Sequence, residues 1–241
     1  MSQERTEAVV LKAIDFSETS SIVTLFSPDR GRLTCMAKGV KRSKSQLAGL
    51  LDTLNRLEVL YTWKDSRGVQ LMTDGTLLER YSGIKDNLDK SLYSAFLTEL
   101  ILRMVHENEP SFELFDTFVD GLAQFEDWTG EVCSFAAWQA IRILSVAGFS
   151  PVLDSCCVCG NRVDADAGLS YAGGVTCLTC PFDVEMNRGM VQTLRMLAKG
   201  STCPSLVGAE RVFGLLTRYA SRQLECELKS VRVIDEMLGR N

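Results

Sequence analysis

The first third of the chain alternates between apolar and polar positions. Short runs at Ala8–Ile14, Ser21–Ser27, Arg32–Lys38, Leu57–Trp63 and Val69–Leu78 are rich in Val, Ile, Leu, Thr and aromatic residues. Turn signals such as Pro28-Asp29-Arg30-Gly31 and Asp65-Ser66-Arg67-Gly68 separate them. Five strands packed this densely predict a small closed or nearly closed barrel, since closure removes exposed edges, although a sandwich satisfies the same pattern. From Asn87 the period becomes that of helices. Leu88, Leu92, Phe96, Leu100 and Met104 recur every fourth residue, Phe115, Phe118, Leu122 and Phe125 make a second stripe, and Phe135–Ala147 is apolar nearly all round. Pro110 and Asp127-Trp128-Thr129-Gly130 punctuate these helices, and Gly148 with Pro151 ends the third. Met190–Lys199, Val207–Gln223 and Val231–Leu238 read as helices again. The pattern predicts an α+β, multidomain chain: a small β-barrel over residues 1–80, a helical domain in two parts over 81–150 and 187–241, and an insertion at 151–186.

Four cysteines give that insertion its chemistry. Cys156, Cys159, Cys177 and Cys180 follow the pattern C-x2-C-x17-C-x2-C, within the range in which two cysteine knuckles meet on one tetrahedral zinc ion. Gly160 frees the backbone for the positive φ that often follows a knuckle's second ligand, and Gly173-Gly174 supplies a turn that brings the second pair back. A redox C-x-x-C belongs at a helix start in a βαβ unit, yet Gly160 follows one pair and Pro181 the other. Reduced structural thiols without metal are the remaining alternative. Four sulfur ligands leave no position for water, so one zinc ion here is expected to be structural, holding the insertion together with about 10 to 16 kcal/mol by analogy with zinc fingers.

Composition narrows the class. The chain has 241 residues, 46% hydrophobic, enough for two modest cores plus a clip. No apolar leader follows the charged opening Met-Ser-Gln-Glu-Arg-Thr-Glu and no run of 18 apolar residues occurs, so no membrane association is expected. Nine cysteines, an odd number, point to the reducing cytoplasm rather than a disulfide framework. Cys35, Cys133, Cys157, Cys203 and Cys226 read as small packing residues. The net charge of −5 is unevenly spread: residues 1–80 hold 12 basic and 10 acidic side chains, residues 81–150 hold 4 and 11, and residues 151–241 hold 10 and 10. Within the front, Arg30, Arg32, Lys38, Lys41, Arg42 and Lys44 face a single acid, Asp29.

These features, taken in order, resemble the RecO family of bacterial DNA recombination and repair proteins. The likeness is carried by Ser17-Glu18-Thr19-Ser20 with Leu25-Phe26-Ser27, Gly31 followed by Ala37-Lys38-Gly39 and Lys41-Arg42-Ser43-Lys44, Tyr93 with Leu97-Thr98-Glu99-Leu100, Leu114-Phe115, and Leu153-Asp154 before the cysteine quartet. The resemblance implies an N-terminal oligonucleotide-binding (OB-fold-like) barrel, a helical domain with an inserted zinc finger, and a nucleoid-associated cytoplasmic recombination mediator. It also implies binding of single- and double-stranded DNA, annealing of complementary strands, and work with RecR and the C-terminal tail of the single-strand-binding protein to help load RecA.

Physical chemistry supplies the means. Arg30, Arg32, Lys38, Lys41, Arg42 and Lys44 lie on one strand and the loop after it, where flexible cations can track phosphates without reading sequence, or simply be solvated. Phe16, Phe26, Tyr61 and Trp63 either fill the barrel or stack bases. The acidic middle would repel DNA and leave the helical domain to proteins. In such families the acidic, apolar tail of the single-strand-binding protein docks there, and Arg142, the lone basic residue between Arg103 and Arg162, is the candidate cation, with a snorkelling role at the core edge as its alternative.

An enzyme is not expected. His106 is the only histidine, its neighbours form neither H-x-E nor H-E-x-x-H, and no phosphate-cradling glycine motif occurs. Asp164 with Asp166 and Asp183 with Glu185 read as solvated loop acids. Two functions remain: a non-catalytic DNA-binding mediator, and a zinc-clipped protein-interaction adaptor with little DNA affinity of its own.

Overall fold

The computed structural model describes residues 2–42, 45, 47–200, 202–203 and 206–239. The chain divides into two compact units: residues 1–86 with 101–126, and residues 87–100 with 127–241.

The first unit is built on five strands, β1 (Ser2–Asp15), β2 (Ser21–Ser27), β3 (Gly31–Ala37), β4 (Arg56–Trp63) and β5 (Gln70–Glu79). They close into a barrel in the order β1-β2-β3-β5-β4, antiparallel except for β3 beside β5. Closure, which the alternation left open against a sandwich, is achieved by register shifts between Val10 and Lys12 and twice along β4–β5, which bend the strands around. The inward residues Ala8, Val10, Val23, Leu25, Leu33, Cys35, Leu57, Val59, Tyr61 and Met72 fill the barrel. Val40, Leu47 and Leu51 of the β3–β4 connection join them.

β1 starts six residues before the expected Ala8. Its polar opening is a strand because its ladder partner is charge-matched: Arg5 meets Glu58 at 3.1 Å and Glu7 meets Arg56 at 2.5 Å. Phe26 faces outward from β2 and is nonetheless fully buried, because α3 (Phe112–Glu126) lays Phe115 and Phe118 on it at ring separations of 5.3 and 6.4 Å. A short helix the periodicity missed, α1 (Ser82–Lys85), has its first amides capped by Glu126, which accepts from Gly83 N at 2.7 Å and Ile84 N at 3.0 Å.

The unit boundary falls within α2 (Leu88–Met104). In the second unit, α4 (Val132–Val146) is buried on nearly every side, as its largely apolar sequence requires. It packs with α5 (Arg188–Lys199) and α6 (Ala209–Gln223), and Trp138 Nε1 donates to Gly200 O at 3.1 Å. Phe213 of α6 sits edge-on to Tyr93 and Phe96 at 5.0 and 4.9 Å. Leu88, expected to face the core, is 59% exposed; of the expected stripe Phe96 and Leu100 are buried in this unit, and Tyr93 and Leu97 join them. The last helix, α7 (Lys229–Leu238), is capped by Glu99, whose carboxylate accepts from the amides of Lys229 and Ser230. Between α4 and α5 lies a three-stranded sheet of β6 (Ala167–Ser170), β7 (Gly174–Thr176) and β8 (Val184–Met186) in the order β7-β6-β8.

Candidate nucleic-acid face and metal centre

Strand parity assigns each residue of β3 a side. Leu33, Cys35 and Ala37 point into the barrel, so Arg32, Thr34 and Met36 point out and are half-buried. Register then aligns the neighbours: Ile14 opposite Ile22, Ile22 opposite Met36, and Met36 opposite Leu71. The outer face of β1-β2-β3-β5 thus carries a row of four apolar side chains, with a second row of Lys12, Thr24 and Thr34 beside it. None of these residues was singled out in the sequence, because each is ordinary alone and only the register makes them a row.

At the end of this face the β1–β2 hairpin meets the segment after β3. Thr19 O accepts from Lys41 N at 3.2 Å and Ser20 Oγ from Gly39 N at 3.4 Å. Lys38, Lys41 and Arg42 are therefore gathered around the hairpin tip, where Phe16 is 58% exposed. Lys41 reaches Asp15 at 2.5 Å, whereas Lys38 and Arg42 are exposed and pair with no carboxylate among the described residues. Lys44 lies outside the described residues. Exposed Lys64 and Arg67 in the β4–β5 loop add charge that the Arg30–Lys44 window did not include.

Arg30 and Arg32 are not part of that group. Arg30 lies in the β2–β3 turn at the other end of β3, about 20 Å away at the rise of a strand. Its guanidinium is held by Glu4 at 2.7 Å, which draws it further toward the charged form, and stacks on Trp63 at 4.2 Å. Arg32 stands 3.7 Å from Glu107. Of the candidate stacking aromatics, Phe26 and Tyr61 are fully buried and Trp63 is covered by Arg30, leaving Phe16 exposed. Small barrels need filling, and Tyr61 does that, whereas Phe26 is buried from outside under α3.

The insertion brings all four cysteines to one point. Their sulfurs lie within 4.8 Å of one another, and Cys159 Sγ is 3.7 Å from Cys177 Sγ. Zinc–sulfur bonds of about 2.3 Å in a tetrahedron require sulfurs about 3.8 Å apart, so the set fits one tetrahedral metal ion. The first knuckle turns through Gly160 at φ 77°, whose amide donates to Cys156 O at 2.9 Å. Amides also aim at sulfur: the Cys159 N–H above all draws Cys156 down to about 6, and the Thr179 hydroxyl lowers Cys177. Hydrogen bonding with Cys177 pushes Cys180 up to about 12. Cys159 is likewise raised, so without a metal ion two of the four thiols favour the thiolate, the form in which cysteine ligates, and two the protonated form.

The insertion is tied to the helices by a residue no motif marks. Arg195 of α5, its side chain 20% exposed, donates through Nε to Leu153 O at 2.8 Å and through Nη2 to Val163 O at 2.5 Å. Arg142 on α4 is half-buried, lying over the Trp138 ring at 4.5 Å and donating to Gln139 Oε1 at 3.0 Å. His106 is exposed after the end of α2.

A closed five-stranded barrel with an apolar and cationic outer face, followed in sequence by a helical unit bearing a four-thiol finger, defines a class of modular barrel-and-finger proteins. Residues 1–81 match the family described as "Recombination protein O N terminal", and residues 85–232 match "Recombination protein O C terminal". The "DNA repair protein RecO" of Caldanaerobacter subterraneus subsp. tengcongensis is 27% identical over 94% of this chain and 95% of its own. Those of Shouchella clausii and Rhodopirellula baltica are 31% and 32% identical over 73% and 72% of this chain and 68% and 65% of theirs. The chain belongs to the RecO family of DNA repair proteins.

Proposed function

We propose that this protein is a non-catalytic recombination mediator of DNA repair: it binds single- and double-stranded DNA on the outer face of its barrel, anneals complementary strands, and helps load RecA with RecR. The observation that carries this is the apolar row Ile14–Ile22–Met36–Leu71 lying beside Lys38, Lys41, Arg42 and the exposed Phe16. Unpaired bases have faces to lay on such a row while their phosphates meet the cations, and duplex phosphates meet the cations alone. In this reading the finger holds one structural zinc ion through Cys156, Cys159, Cys177 and Cys180, a closed set with no position for a reacting water. Arg142, half-buried and stacked on Trp138, is assigned to the tail of the single-strand-binding protein.

An adaptor reading has one observation in its favour. Val158, Leu178 and Phe182 of the finger are 58%, 47% and 40% exposed, an apolar display that suits a protein contact. Annealing of complementary oligonucleotides without nucleotide, across a salt series, decides between the two. Acceleration that fades steeply with salt supports the mediator; no acceleration and no binding of single strands at low salt moves the function to protein partners.

A further inference from the structure

The loop from Val105 to Ser111, which follows α2, is pinned to the start of β3. His106 O accepts from Arg32 N at 3.0 Å, and Ser111 N donates to Pro28 O at 2.8 Å. Gly31 is what lets the loop approach: a Cβ there would stand 2.5 Å from both His106 O and Glu109 O, and its φ of 60° suits glycine. The loop so placed carries Glu107, bridged to Gly31 and Arg32, with its carboxylate 3.7 Å from Arg32 Nε. Together with Thr34, Trp63, Arg67 and Asn108 the pair lines a shallow notch on the outer side of the barrel.

Arg32 shares its side of β3 with Thr34 and Met36, so its guanidinium lies at the edge of the face assigned to nucleic acid, about 13 Å along the strand from Met36 and beside Phe26, which α3 covers. We propose that Glu107 is the resident anion of that face: it occupies the phosphate position at Arg32 and is displaced when a single strand binds, so that it sets the affinity of the barrel. The inference rests on the nucleic-acid reading above and adds to it a residue from outside the barrel strands. The pair is built to be broken. Both side chains are substantially exposed, at 36% and 48%, and one 3.7 Å approach is not the two-pronged geometry in which arginine holds an oxyanion firmly. A phosphate can offer that geometry, and the displaced carboxylate returns to water.

The test is Glu107→Gln, with labelled oligo-dT binding read by fluorescence anisotropy across a salt series. Glu109→Gln is the control: Glu109 is exposed on the same loop, makes no ion pair among the described residues, and its change alters net charge equally. Glu107→Gln should bind about three- to fivefold more tightly at each salt concentration, with its log–log salt slope unchanged, because Arg32 meets one phosphate in both bound states. Glu109→Gln should leave the affinity nearly unchanged. Adding Arg32→Gln to Glu107→Gln should erase the gain. Equal affinity in the two glutamine variants, or a gain that survives the loss of Arg32, overturns the inference while leaving the nucleic-acid reading standing. Failure of the unaltered protein to bind oligo-dT at low salt overturns both.

Discussion

Lys38 and Arg42 are the two cations at the hairpin tip that are exposed and free of carboxylates among the described residues, and the salt dependence of binding should reveal them. Each phosphate contact on a single strand contributes about 0.7 to the slope of log affinity against log salt. Neutralising both, as Lys38→Gln with Arg42→Gln, should therefore flatten the slope by about 1.4. Over a fourfold rise in salt, from about 50 to 200 mM, the unaltered protein should lose about sevenfold more affinity than the variant. Lys41→Gln should change the slope by less than about 0.3, because Lys41 is held by Asp15 at 2.5 Å and gives the phosphate no free charge. Arg5→Gln serves as the reference for net charge, since Arg5 pairs with Glu58 on the β1–β4 side of the barrel. Anisotropy titrations of a labelled oligonucleotide measure all four slopes. An unchanged slope in the double variant, or an equal flattening in Arg5→Gln, refutes the assignment of phosphate contacts to the hairpin tip.

Three further outcomes are expected. Phe16→Ala should cost about 1 to 3 kcal/mol of single-strand affinity through lost stacking, with melting nearly unchanged because the ring is 58% exposed; equal single-strand binding in titrations would refute it. Cys177→Ser should bring bound zinc, measured by plasma mass spectrometry, from about one equivalent to below about half, and expose residues 151–186 to protease; full zinc retention would refute the four-thiol site. Arg195→Ala should strand the carbonyls of Leu153 and Val163, at about 1 to 3 kcal/mol each, and loosen the insertion before the helices unfold; denaturant titration with limited proteolysis tests this, and unchanged protection of residues 151–186 would count against the tie.

Alternation located β2 to β5 to within about two residues; in β2, β3 and β4 one face lies inside the barrel, so the physical cause of the pattern and the strand coincide, whereas β5 buries only Gln70 and Met72. It failed at Ser2–Glu7, where both faces are polar and the strand is held by charge matched to β4. Helical period failed at Leu88, at the start of α2, where no neighbour covers the stripe, and at α1, four residues whose cap arrives from Glu126 far along the chain. The cysteine spacing was enough to bring four sulfurs together on paper, since two knuckles and a turn leave little freedom. Arg195 carried no such mark, because its two acceptors are backbone carbonyls and its role exists only once the insertion is docked on α5.

The basic window shows why charge density alone overstates an interface. Six cations lie between Arg30 and Lys44, yet Arg30 belongs to Glu4 and Trp63, Arg32 faces Glu107, and Lys41 faces Asp15. Only one of those acids, Asp15, is even near the window in sequence; Glu4 and Glu107 arrive from the first residues of β1 and from the loop after α2. A window counted along the chain sees the cations together and their partners apart, so it assigns all six to one solvent-facing cluster. Register does the opposite for Ile14, Ile22, Met36 and Leu71, which are scattered over four strands and become adjacent only when β1, β2 and β3 pair in turn and β5 joins β3. The proposed binding face is therefore smaller in free charge and larger in apolar surface than the sequence suggests. On that proposal the balance should favour unpaired strands, whose bases can use the apolar row, over duplexes, which can use only the cations that pair with no carboxylate among the described residues.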